Sequence, residues 1–449
     1  MGIFFIILSL LLLVFLVFRG VPVFFSAVIS GIFCLLTAQL FTGGTDILTG
    51  MTSVARLSDS SAPTSYVFGL ANYVGTNFWV FVLGAMFGKL YEVTGAANAI
   101  ANGIINKFGE KAVIPAILLA GAVLTYGGVS VFVCFFALYP LMLTMFKKAD
   151  ITRKLLPAFY FAGAGTFTGW MPGSPALQNT IPADALGVSY SAALVPGLIT
   201  TVIEAVLVYF WIVWCVKHHK AKGDHFEMTE ADKAEMERLD SDKKLPHFVL
   251  SLVPMIILLI VLNFTKAGAP LSLLVGVICA LICFFKFFDW SQIWNTLKTG
   301  LMGGVTSLFN TASVVGFGEV IKSVPAFGDI IGVLTNVNGN PLITSAIAVA
   351  CMAGVCGSGT GGEGIALPIV KEYFVPQMSP KQIEGLARVS ALSALTLDSL
   401  PHCGLVVTVI DYTGNTHKSS YIQAGVTNVL IPIICLPILI GLCFLFGFA

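Results

Sequence analysis

The chain has 449 residues, 57% of them hydrophobic and only 10% charged, with a mean hydropathy of +0.91 and a net charge of +1. A soluble domain carries about a quarter charged residues, so no separate soluble domain of useful size fits here, and the balanced charge leaves no nucleic-acid footprint. Apolar runs of roughly 20 residues recur along nearly the whole length, which is the signature of a multi-pass protein in a lipid bilayer.

In chain order, the first apolar run is 2–18. It lacks a basic leader and a small-residue cleavage site, so it reads as a retained helix. Further segments follow at 21–41, 76–94, 113–145, 155–181 and 191–216. A charged stretch, 217–245, holds seven Lys/Arg and eight Asp/Glu and reads as a solvated linker. Beyond it come 246–264, 269–288, 299–320, 341–372, 384–411 and 421–446. The ten cysteines fall almost all in apolar stretches without a C-x-x-C pair, so they read as packing residues and no metal or cofactor is expected.

The halves 1–216 and 246–449 resemble each other. Phe87-Gly88 matches Phe317-Gly318, Ala120 matches Ala350 and Gly127 matches Gly357, all at an offset of 230, and Pro172 matches Pro401 at 229. An ordered series of this kind predicts an internal repeat. Segments 113–145 and 341–372 are too long for one span and too short for two with a turn. Each has small and polar residues at its centre, and both read as re-entrant hairpins whose tips face an internal site. Segments 155–181 and 384–411 read as broken helices. Ser174-Pro175 resembles an N-cap with proline at the first helical position, and Pro401 interrupts the second segment.

Five crossings and one hairpin per half place the second repeat inverted relative to the first. With 217–245 in the cytoplasm, eighteen Lys/Arg fall inside and six outside, Arg388 among the latter. The positive-inside rule favours this topology, with both termini outside. The predicted fold class is thus an all-α polytopic membrane protein with two inverted-topology repeats, of the kind that builds secondary transporters with a midplane site.

Candidate substrate contacts are Gly128, Ser130, Thr168, Pro172, Gly173, Ser174, Gln178 and Asn179 in the first half, and Ser358, Gly359, Thr360, Gly361, Ser399 and His402 in the second. Ionisable residues inside a span are expensive and functional by default. Glu363, Asp398 and His402 are therefore the candidates for proton coupling. Glu204 and Glu319 rank below them because neither lies at a predicted break, and Trp170 is divided evenly between packing the site and facing lipid. Gly357, Gly359 and Gly362 fit G-x-G-x-x-G, but no βαβ context surrounds them, so a nucleotide site is set aside. Ser358 with His402 is the one visible nucleophile–base pair for an intramembrane enzyme, and no G-x-S-x-G elbow accompanies it.

GVSVFVCFFALYP (128–140) and MPGSPALQNTIP (171–182) resemble the gluconate permease family, a branch of the ion transporter superfamily. That resemblance covers most of the chain. It implies a cation-coupled, mostly proton-coupled, importer of gluconate or related small hydroxy acids in a cell membrane of the bacterial inner-membrane type. It also implies a homodimer in which a transport domain moves against a fixed scaffold, and it carries Gly128, Ser130, Pro172, Gly173, Ser174, Gln178 and Asn179 as site residues. Gluconate-type members have a His-Val-Asn-Asp-Ser-Gly run at the second break. Here it reads Ser399-Leu400-Pro401-His402-Cys403-Gly404, which points to a shorter acid such as 3-hydroxybutyrate at least as well as to gluconate. The expectation is a proton-coupled symporter of a small organic anion, with a sodium-coupled carboxylate symporter as the alternative. An anion channel or an intramembrane enzyme ranks lower.

Overall fold

A computed structural model describes residues 2–19, 21–41, 43–44, 46–57, 63–108, 112–229, 244–265, 267–327, 340–401 and 403–449, and among them every regular element is helical. The first half runs α1 (Gly2–Phe18), α2 (Val23–Phe41), α3 (Ile47–Thr52), α4 (Tyr66–Thr94), α5 (Ala96–Phe108), α6 (Val113–Tyr126), α7 (Val131–Ala149), α8 (Leu156–Ala164), α9 (Phe167–Trp170), α10 (Leu177–Leu186) and α11 (Leu194–Ala221). The second runs α12 (Phe248–Phe264), α13 (Gly268–Cys283), α14 (Ile293–Ser323), α15 (Pro341–Cys356), α16 (Gly359–Tyr373), α17 (Pro380–Ala394), α18 (Gly404–Tyr412) and α19 (His417–Leu445). Among the described residues α2, α4, α11 and α19 are long and apolar enough to cross a membrane by themselves.

Helix starts follow local chemistry. Ser65, Asn340, Ser358 and Ser379 each accept a first-turn N–H of the helix they precede, and Gln382 returns the bond to Ser379 in a capping box. The Ser65 cap explains why α4 begins ten residues before the apolar run that marks it. Helix α5 has no counterpart among the predicted segments, because its Ala-Asn-Gly composition dilutes the apolar signal.

Two packing groups emerge. In the first, α4 and α14 lie against each other along most of their length, flanked by α2 and α13, with α1 beside α2 and α12 beside α13. Small residues permit this contact. A Cβ on Gly304 would stand 2.8 Å from the Phe81 carbonyl oxygen, and one on Gly316 would stand 2.7 Å from that of Tyr66, so the two backbones nearly touch. In the second group α15, α16 and α17 pack together with α10, and α6, α8, α9, α11 and α19 surround them. The two groups meet where α16 lies on α14, where α1 lies on α15 and where Asn263 of α12 reaches the Gly173 carbonyl.

Helix α11 carries on into the charged stretch as far as Ala221, and residues 217–226 dock on the end of α7. Lys220 donates to the Ala149 carbonyl (2.8 Å), His225 pairs with Asp150 (2.7 Å), and Asp224 holds Lys154 (2.9 Å) and His219 (2.6 Å). The Phe226 N–H and then His225 hold Asp150 below its ordinary 3.8, and Lys154 and then His219 do the same for Asp224. A lowered carboxylate stabilises the docked form above its free value, and that contribution vanishes as pH falls through the lowered one. Amides of residues 217–229 are therefore expected to keep their hydrogen-exchange protection at pH 7 and to lose it below about pH 4. Unchanged protection across that range would remove these contacts from the docking.

Candidate functional site

The site is built where two short turns and two helix breaks come together. Gly127–Ser130 joins α6 to α7, and Gly128 occupies φ +94°, a backbone conformation that disfavours a side chain. Ser130 leads into α7, where its carbonyl accepts the Cys134 N–H. The first break runs from Gly165 to Ala176. Thr168, on α9, shares a hydroxyl contact of 2.9 Å with Thr125 of α6. Ser174 donates to the Thr168 carbonyl (2.7 Å) and accepts the Ala176 N–H (3.2 Å), so its hydroxyl closes the loop. That corrects the N-cap expectation: α10 starts at Leu177, Ala176 stands at the cap position, and no side chain bonds there. The Pro172 carbonyl accepts from the Tyr126 hydroxyl (3.2 Å), and the Gly173 carbonyl accepts from Asn263 (3.0 Å). Asn179 donates to the carbonyls of Ser174 and Tyr190, while Gln178 is half-buried on the same helix.

Arg388 organises this cluster, and it is the residue that the sequence reading misplaced. It is 2% exposed, two turns inside α17, and not in an outer loop. Its guanidinium donates to Asn179 Oδ1 (2.6 Å), to the carbonyls of Ala192 (3.0 Å) and Tyr190 (2.8 Å), and to that of Trp170. All four acceptors belong to the first half. Trp170 is fully buried, so it packs the site, and its indole N–H donates to Glu204 Oε2 (2.6 Å).

The second cluster surrounds the stretch of glycines at 354–364. Ser358 caps α16 by accepting the Gly361 N–H (3.3 Å), and its hydroxyl lies 3.2 Å from that of Thr360. Gly359, Thr360 and Gly361 form the buried first turn of α16. Close approach is the second use of these glycines. A Cβ on Gly362 would stand 2.3 Å from the Ala353 nitrogen. Gly362→Ala is expected to force α15 and α16 apart at a cost of ~1–3 kcal/mol or more. A lowered unfolding midpoint in detergent reads this out, and an unchanged midpoint would show that the tip is compliant.

Asp398 does not cap its own helix. One oxygen accepts from Ser399 (2.9 Å), and the other is turned to the Gly359 N–H at the start of α16, where the helix dipole favours an anion. Glu363, one turn into α16, is 0% exposed, and neither carboxyl oxygen has a partner among the described residues. It lies within electrostatic reach of Asp398 and of Tyr73 on α4, whose hydroxyl is also unpartnered. Of the two described coupling candidates, Glu363 is thus the one on the helix that forms the seam between the two packing groups. The Ser399 carbonyl accepts from Tyr421, and its hydroxyl accepts from Asn428 at 3.5 Å. Glu319 lies at the far end of α14, held by Thr64 (2.5 Å) and Lys322 (2.6 Å). His402 lies outside the described residues.

The two clusters meet at the breaks. A Cβ on Gly169 would stand 2.8 Å from Leu395, and one on Gly165 would stand 3.4 Å from Asn428 Nδ2. Sequence reasoning missed Arg388 and ranked Glu204 low. A charge within a predicted span was the available signal for both.

Buried charges held at interrupted helices inside an apolar bundle define a membrane transporter. Residues 1–273 match the family model described as GntP family permease, and residues 225–439 match that of the Na+/H+ antiporter family. The chain is 31% identical to the uncharacterized transporter YxjC of Bacillus subtilis, over 93% of each. It is 25% identical to the high-affinity gluconate transporter of Escherichia coli, over 76% of this chain and 78% of that one. In fold it matches the crystal structure of the Alcanivorax borkumensis YdaH transporter at a TM-score of 0.62 and 13% identity, over 94% and 98% of the two chains. The chain belongs to the GntP family of permeases, and it is a multi-pass membrane transporter, not an enzyme.

Proposed function

We propose that this permease is a proton-coupled symporter of a small organic anion, gluconate or a short hydroxy monocarboxylate such as 3-hydroxybutyrate. The carrying observation is Glu363, a fully buried acid with no hydrogen-bond partner among the described residues, on α16 where that helix lies on α14 and within electrostatic reach of Tyr73 on α4. An ionised carboxylate there would lie buried beside Tyr73 and Asp398 with no cation among the described residues to compensate it, at a cost of several kcal/mol. A proton on Glu363 or Asp398 removes that cost and lets α16 slide along its apolar neighbour. Ser130 and Thr360, with backbone N–H groups at the tips and breaks, are the proposed holders of carboxylate and hydroxyl, and Ser174 shapes the first break from within its loop. The relatives named for gluconate support the substrate class.

The architecture proposed with it is two inverted repeats, 1–216 and 246–449, working as an elevator. Three observations support the inversion. The open end of the α6–α7 pair lies beside the linker, through Lys220 on Ala149. The open end of α15–α16 lies at the opposite end of α19, near the C-terminus, where Lys381 donates to the Phe446 carbonyl and Gln382 to that of Ala449. The element order of 113–221 also returns over 341–445. The group α1, α2, α4, α12, α13 and α14 is the proposed scaffold and the surface for a homodimer, with both termini outside.

The test is uptake of labelled gluconate and 3-hydroxybutyrate into proteoliposomes, under a pH gradient and separately under a sodium gradient. Accumulation driven by inward protons supports the reading. The sodium-driven alternative draws on the match of 225–439 to an antiporter family. Accumulation under sodium alone would overturn the coupling assigned to Glu363. Currents far above carrier turnover would point to a channel.

A further inference from the structure

Glu204 is the one acidic residue in α11, an uninterrupted apolar helix of 28 residues. It stands ten residues beyond the helix start, about 15 Å along the axis, and so near mid-depth of a span. It is 0% exposed. Oε2 accepts from the Trp170 indole at 2.6 Å, and Oε1 has no partner among the described residues. The groups that face it are that indole, from α9, and the Cys435 thiol, from α19. Arg388, the buried cation of this region, is occupied by carbonyl oxygens and an amide, including the Trp170 carbonyl.

A structural acceptor for Trp170 does not require an ionisable group, since a glutamine would accept the same bond. The corresponding helix of the second half makes the comparison. Asn428 of α19 reaches the second break at Ser399, and its oxygen also has no partner among the described residues. Each break therefore receives a buried polar side chain from the long helix that follows it, an amide at the second and an acid at the first. Only the acid can change its charge.

We propose that Glu204 is a second proton-carrying site, at the first break, loaded and emptied in each cycle together with the Glu363–Asp398 site at the second. The inference rests on the proton-coupled reading. As the neutral acid, Glu204 keeps its bond to Trp170 and avoids the far larger cost of a buried charge in its apolar shell. When α9 moves, it carries the indole away and opens the carboxyl to water in the site. The proton then leaves to that water, and the carboxylate takes up another from the opposite side on return. Only a proton moves: one O–H bond breaks and one forms, with no change in oxidation state.

Equilibrium accumulation of labelled gluconate in proteoliposomes, with the membrane potential clamped at zero, counts the protons. Each coupled proton contributes about tenfold per unit of pH gradient. The expected result is about a hundredfold per unit for the unmodified transporter and about tenfold for Glu204→Gln. Exchange of internal for external gluconate at equal pH reports that the variant is assembled. About tenfold per unit in the unmodified transporter, or an equal dependence in both proteins, would overturn the second site and leave the proton-coupled reading standing. No dependence on pH in the unmodified transporter would overturn both. Because the first outcome is read on unmodified protein, poor folding of the variant does not shield the proposal.

Discussion

Proteoliposomes carrying Glu363→Gln are expected to exchange internal for external substrate yet accumulate it about tenfold less per unit of pH gradient than the unmodified transporter. The glutamine is isosteric and permanently neutral. It mimics the protonated acid, so α16 remains free to slide against α4 and α14, but no proton is carried and the gradient does no work there. The structure makes this the cleanest substitution, because neither carboxyl oxygen has a donor to lose among the described residues. Glu363→Ala should behave similarly in coupling, with an added cost for the space it leaves. Full retention of pH-driven accumulation in Glu363→Gln would move the coupling to Asp398 alone.

The second large effect is expected at Arg388. Arg388→Ala leaves the buried carbonyls of Trp170 and Ala192 and the Asn179 amide oxygen without their donor, while the Tyr190 carbonyl keeps Asn179 and the Gly173 N–H. An orphaned buried acceptor costs about 1–3 kcal/mol, so a loss of at least ~3 kcal/mol is expected even after relaxation. It should appear as a lower unfolding midpoint in detergent and as loss of uptake. Arg388→Lys supplies charge without the planar fork that reaches four acceptors at once. It should recover part of the stability and little of the transport. If both variants kept the midpoint of the unmodified protein, water would have to be replacing the guanidinium.

The sequence carried the helical class and the interrupted segments, because 20-residue apolar runs and their central Gly, Pro and Ser residues are local signals. It carried Glu363 and Asp398 for the same reason, as charges placed among apolar neighbours. What it could not carry was partnership across distance. Arg388 reads as a flank of its segment until its acceptors are known, and those are three backbone oxygens and the Asn179 amide oxygen, about 200 residues away. Glu204 was ranked low because α11 has no break, yet the break it serves lies on α9. Ser174 looked like a cap on composition alone, and only the position of the Thr168 carbonyl turns its hydroxyl back into the loop. The glycines at 354–364 read as a hairpin tip, and at Gly362 the structure adds a close helix approach that composition does not announce.

The seam between α4 and α14 has a consequence of its own. Backbones that meet at Gly304 and Gly316 with no room for a methyl group leave no file of water between them. An ion gradient used to drive uptake is worth holding only if the carrier does not leak it. On the proposed coupling, a glycine-closed seam between α4 and α14 serves as electrical insulation, leaving the binding site as the route by which ions would cross.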